Sequence, residues 1–205
     1  MTKDAFSIIG TIISGVMVGV AIYFGRAGLH TWRRQLRGSS DHDLARRILI
    51  ELYRLRDAIQ RARSPAIFSF ESMPFDGEVE SADPRQASFD SSSRAYRRRM
   101  AAMDEARHPL LATMLEAEAV WGKRLKELIA PVFKLEREFV IFVRLHLNSI
   151  DPRNSVQGQF SRQELLGGRR NILYDLDDAD DVYWEEVLKA LNEVEIYLRS
   201  RLIPD

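Results

Sequence analysis

The chain has 205 residues, no cysteine, and 30 cationic against 30 anionic side chains. Structural disulfides and thiolate metal sites are therefore excluded, and the length suits one domain with a real hydrophobic core behind a terminal segment. The neutral balance is uneven: arginines dominate residues 26–63, acids dominate 71–90, and acids return over 175–195.

Residues 1–4 form a short tail. From Ala5 to Gly25 no Asp, Glu, Lys or Arg occurs, which matches the ~20 apolar residues a helix needs to cross a bilayer. No polar face recurs at helical spacing, as a water-soluble helix would require. Lys3 and Asp4 cancel before the run, whereas Arg26, Arg33, Arg34 and Arg37 follow it. Positive charge stays inside, so the N-terminus is expected outside and the bulk of the chain in the cytosol of a bacterium, with these four arginines on anionic lipid. A cleaved export signal would carry its charge before the run and a small-residue cleavage site after it. Ser7, Thr11, Gly15 and Gly19 recur every four residues. Such a row lets helix backbones approach closely in lipid, so self-association through this face is expected.

Residues 26–40 are a basic juxtamembrane segment, and 41–205 a helical domain. Asp41 after "GSS" reads as a helix N-cap. Leu44, Ile48, Leu52, Leu55 and Ile59 then follow a helical stripe, with Ala45, Ala58 and Ala62 beside them. This predicts a core-facing helix, with a parallel coiled coil as its rival. Ser64-Pro65 ends it. Pro65, Pro74, Gly77 and Pro84 make residues 64–93 a long loop. Ile67, Phe68, Phe70, Met73 and Phe75 predict that its first half docks on the bundle, the bilayer or a partner. Its second half is expected to be mobile.

A long helical region is expected from about Ser92 to Leu147, capped by Ser91–Ser93 and kinked or restarted at Pro109 and Pro131. Tyr96, Met100, Met103, Leu110, Met114 and Leu115 supply its apolar spacing, and "EFVIFVRLHLN" continues it as a buried helix. "SRQELLGG" predicts a short helix capped by Ser161 and closed at Gly167. The last helix starts within "DLDDADD" and buries Val182, Trp184, Val187, Leu188, Leu191, Val194 and Leu198. The fold class is therefore all-α: a single N-terminal transmembrane helix followed by a cytosolic bundle of about four or five helices.

Chemical vocabulary is sparse. Asp175, Asp177, Asp178, Asp180 and Asp181 offer oxygen ligands but lack the glycine and terminal glutamate of a calcium loop, and acids at a helix start explain most of the cluster. His30, His42, His108 and His146 show no metal spacing. Arg169 and Arg170, after Gly167 and Gly168, are a candidate anion site. "SSSRAYRRR" offers arginines and Tyr96 to a nucleic acid, but acids elsewhere oppose a polyanion, so a membrane-parallel or acidic-loop-pairing role is expected instead. No catalytic motif, metal site or cofactor site is expected. The partners expected are the bilayer, a second copy and an unidentified protein. These observations point to a membrane-tethered helical interaction or regulatory module. The alternative is an oligomeric membrane effector whose cytosolic domain senses a signal and perturbs the bilayer.

Overall fold

A computed structural model describes residues 40–167, 170–175 and 181–202, the side chains of Arg162 and Leu165 excepted. The expected span at 5–25, its row Ser7, Thr11, Gly15 and Gly19, and Arg26, Arg33, Arg34 and Arg37 lie outside the described residues. Among the described residues no helix is long and apolar enough to cross a membrane.

The described chain is all-helical. α1 covers residues 40–62. It is followed by α2 (Ser69–Ser72), α3 (Pro84–Trp121), α4 (Arg124–Ile150), α5 (Val156–Gly167) and α6 (Val182–Leu202). α1, α3, α4 and α6 run alternately up and down as a four-helix bundle. Their directions follow from contacts at both ends. Arg47 pairs with Glu116, Asp41 accepts from the Trp121 indole at 3.1 Å, and Arg99 reaches the Ser64 carbonyl, so α1 and α3 are antiparallel. The Tyr183 hydroxyl donates to the Leu135 carbonyl at 2.9 Å, and α6 runs back along α4. α5 folds against α4, and α2 against α3.

The α1 stripe Leu44, Ile48, Leu52, Leu55 and Ile59 is buried in the chain's own core, together with Ala45, Ala58 and Ala62. It faces the bundle and leaves no seam for a coiled coil. Each fully buried Leu or Ile contributes about 1.5–3 kcal/mol relative to exposure. Along α6 the buried face is Tyr183, Val187, Ala190, Leu191, Val194 and Leu198. The expected Val182 and Leu188 are exposed instead, because Tyr183 turns inward to reach Leu135. Leu115 of α3 is likewise exposed, and Ala117 takes the inward position.

Neither proline breaks its helix. Pro109 lies inside α3 and Pro131 inside α4. Both prolines are exposed, as are Glu105 and Glu127 one turn earlier, whose carbonyls lose their helical donor; that surface is open to water. The break falls at Gly122, whose φ of +76° suits glycine and whose N–H closes on the Glu118 carbonyl at 3.0 Å. α3 also begins earlier than expected. Asp83 accepts from the Arg85 amide at 3.0 Å with Pro84 in the first turn, so residues 84–93 are helix rather than mobile loop. α5 starts earlier too: Ser155, not Ser161, closes its first turn by accepting from Gly158 N–H. Ser161 bonds back to the Gln157 carbonyl within the helix.

One pole of the bundle is sealed by Trp121. Its indole rests against Tyr197 edge-on, and Arg201 lies over its ring at 5.1 Å. The opposite pole carries residues 63–83. The two poles are separated by the length of α1, ~33 Å at 1.5 Å per residue.

Candidate functional site

Residues 64–83 connect α1 to α3 and are built from two turns of one design. In Phe68-Ser69-Phe70-Glu71, the Glu71 amide donates to the Phe68 carbonyl and the Glu71 carboxylate accepts from the Phe68 amide, both at 2.9 Å. In Phe75-Asp76-Gly77-Glu78 the same pair of bonds recurs, at 2.9 and 3.0 Å. Gly77 takes the left-handed position of the second turn, with φ +81°. A glutamate three residues after the turn's first amide satisfies a donor that would otherwise need water.

Four arginines of α3 hold these turns. Arg99 spreads its guanidinium across both Glu71 oxygens at 2.8 Å and the carbonyls of Ser64 and Ala66 at 2.6 Å. Arg98 donates to the carbonyls of Glu71 and Met73. Arg94 donates to the Ser72 carbonyl at 2.7 Å and lies 3.7 Å from Glu78 and 3.9 Å from Glu80. Arg97 and Arg98 cover the Phe75 ring at 5.3 and 4.2 Å. Arg94 and Arg99 are buried. Guanidinium suits this task because its five donors are fixed in a plane. Arg99's hydrogen bonds hold the Glu71 carboxyl below the ordinary range, against the opposing effect of burial. The Phe75 amide does the same for Glu78, helped by Arg94 and Arg97.

The loop therefore docks on the bundle chiefly through its backbone, and of its expected aromatic anchors Phe75 alone lies under α3 arginines. Ile67, Phe68, Phe70 and Met73 point out at 42, 57, 63 and 57 % exposure. Phe68 and Phe70 stack on each other with ring centroids 5.8 Å apart. Four large apolar side chains are thus exposed within seven residues of one braced loop, two of them stacked. Around them the segment from Ser64 to Asp83 carries Glu71, Asp76, Glu78, Glu80 and Asp83 and no lysine or arginine. Of the "RAYRRR" arginines, Arg94, Arg98 and Arg99 donate into this loop, and Arg97 lies over the Phe75 ring.

The other candidate residues are placed as follows. Arg170 lies against Glu138 and Glu186 and over the Tyr183 ring, so its charge is engaged by carboxylates and not open to an anion. Arg169 lies outside the described residues, as do Asp177, Asp178 and Asp180. Asp181 is an N-cap, accepting from the Trp184 amide at 3.0 Å, and pairs with Arg63. Among the described residues no group of three metal-ligating side chains converges. His146 is partly buried edge-on to Tyr96, and burial lowers its pKa.

Compared with protein-family models, with curated proteins and with solved structures, the chain finds no match in any of the three. The functional reading therefore rests on the geometry. The arginine brace was not read from sequence, although one signal was present. Phe-x-x-Glu occurs at Phe68 and again at Phe75, seven residues on, just before an arginine-rich helix start.

Proposed function

We propose that the protein is a membrane-tethered interaction module at the inner face of a bacterial membrane, whose contact surface is the patch Ile67, Phe68, Phe70 and Met73. The observation that carries this reading is the pairing of exposed apolar side chains with a backbone held by three arginines, Arg94, Arg98 and Arg99. A pre-ordered loop loses little conformational entropy on binding. The segment from Ala5 to Gly25 supplies the tether and, through Ser7, Thr11, Gly15 and Gly19, a second copy. The patch sits at the pole remote from residue 40, ~33 Å along α1. Its acidic surroundings oppose an anionic bilayer. The occupant that fits is a protein with an apolar groove rimmed by cations, since interface cores are apolar and rim charges set orientation and on-rate.

A photoreactive residue at position 70 of the full-length chain, used in cells, identifies the occupant. The captured protein is then purified and titrated against the detergent-extracted chain. Phe68→Ser with Phe70→Ser is expected to weaken binding at least about tenfold, as removal of aromatic anchors does. Glu78→Lys with Glu80→Lys is expected to weaken it further and to reduce its salt dependence. Cross-links confined to lipid or to a second copy of the chain, or affinity unchanged by both pairs of substitutions, would reject the reading.

A further inference from the structure

We infer that the cavity between α3 and α4 around Arg107 and Glu136 binds a small oxyanion, a carboxylate or phosphate carried on a short apolar body. The cavity measures about 240 Å³, room for roughly eight waters at ~30 Å³ each. Met100 and Met103 of α3 and Val140 of α4 give it an apolar floor. Its polar wall is formed by Asp104 and Arg107 from α3 and by Glu136, Arg137 and Arg144 from α4.

The ion pair in this wall, between buried Glu136 and half-buried Arg107, is loose. The Glu136 side chain is 4 % exposed, and its contact with Arg107 Nε is 3.7 Å, too long for a hydrogen bond. Arg107 Nε is itself buried and donates to no described atom. Two other ion pairs among the described residues are shorter: Arg63–Asp181 and Arg99–Glu71 both meet at 2.8 Å. A buried donor left unmade costs about 1–3 kcal/mol, so a gap at this place needs an occupant that bridges it.

Charge states which kind. Arg137 and Arg144 are exposed at the mouth and close no ion pair with a described residue. Three arginines face Asp104 and Glu136, and burial pushes the Glu136 carboxyl upward against the lowering effect of Arg107. The wall is net cationic. An oxyanion accepts from the guanidinium groups of Arg107, Arg137 and Arg144 that line the cavity, and charge-assisted bonds of this kind are the strong ones. Met100 immediately follows Arg99, so the site adjoins the helical stretch that braces the loop.

The test is calorimetric titration of the full chain in non-ionic detergent with inorganic phosphate and, separately, with propionate; guanidinium chloride is the cationic control. Saturable heat with at least one of the two anions and none with guanidinium is the expected result. The anion that binds identifies the head group. Arg137→Ala with Arg144→Ala changes only exposed side chains, so the helical circular-dichroism spectrum is retained while affinity falls at least about tenfold. Glu136→Gln is expected to retain binding. Absence of saturable heat with both anions up to tens of millimolar, or binding unaffected by the double arginine substitution, would overturn the assignment.

Discussion

Arg63→Ala is expected to lower the unfolding free energy by about 3–5 kcal/mol, the cost of stripping one partner from a buried pair. Arg63 is fully buried at the end of α1. Its Nε donates to the Ile172 carbonyl at 2.8 Å, and one terminal nitrogen reaches the Tyr174 carbonyl and both Asp181 oxygens at 2.8–3.0 Å. The guanidinium also lies over Tyr183 at 4.8 Å and near Trp184 at 5.9 Å. The Arg63 carbonyl accepts from the Asp175 amide at 2.9 Å. One side chain thus ties α1, the segment 170–175 and the start of α6. Alanine leaves Asp181 buried without its cation, and two carbonyls without donors. At roughly 2–4 °C per kcal/mol for a chain of this size, thermal unfolding followed by circular dichroism is expected to shift down by about 6–20 °C. Asp181→Asn keeps an N-cap for α6 but removes the charge, so its loss is smaller. A double-mutant cycle between the two positions is expected to give a coupling above about 1 kcal/mol. Additive losses would show that the pair acts as two separate packing residues.

Arg99→Ala acts at the same pole, on the loop that follows Arg63, and is local. It removes the partner of Glu71 and the donors to Ser64 and Ala66. The opening free energy of the loop is expected to fall by about 3–5 kcal/mol, so exchange protection of its amides drops by roughly two orders of magnitude or more. The buried stripe of α1 keeps most of its protection. Acid gives the same result by a second route. Arg99's hydrogen bonds depress the Glu71 pKa below 4.5 in the folded chain. A depressed carboxylate contributes its full stability above the unfolded value, and that contribution is lost as pH falls through the folded value. Loop protection is therefore expected to be flat near neutrality and to decline only below pH 4.5. In Arg99→Ala the main depressing cause is gone while burial remains, so the acid-dependent loss of protection is expected to shrink. Equal loss of protection in loop and core would show that Arg99 supports the whole bundle rather than the loop.

Helix periodicity carried far in this chain because each long helix buries one stripe. Leu44 to Ile59 and Val187 to Leu198 were placed by spacing alone. The shifts within those stripes have a cause that spacing does not encode: Tyr183 turns inward because its hydroxyl finds the Leu135 carbonyl. Proline was weighted too heavily and glycine too lightly. Pro109 and Pro131 lie where freed carbonyls meet water, whereas Gly122 supplies the left-handed turn that ends α3. Asp83-Pro84 was a legible helix start that the serine run obscured. The loop brace and the loose Arg107–Glu136 pair were beyond periodicity. Both depend on which carbonyl or carboxylate a long arginine reaches across two elements, and that is set by bundle geometry.

The central claim is that residues 64–83 are a fixed loop whose backbone is gripped by α3 and whose apolar side chains are free for a partner. Amide hydrogen exchange of the detergent-extracted full chain tests it most directly at Phe68, Glu71, Phe75 and Glu78, the four amides that close the two turns. Protection at these four comparable to that of the neighbouring turns of α3, alongside free exchange at exposed Val79, is the predicted result. Exchange of all four at the rate of an unstructured peptide would contradict the account.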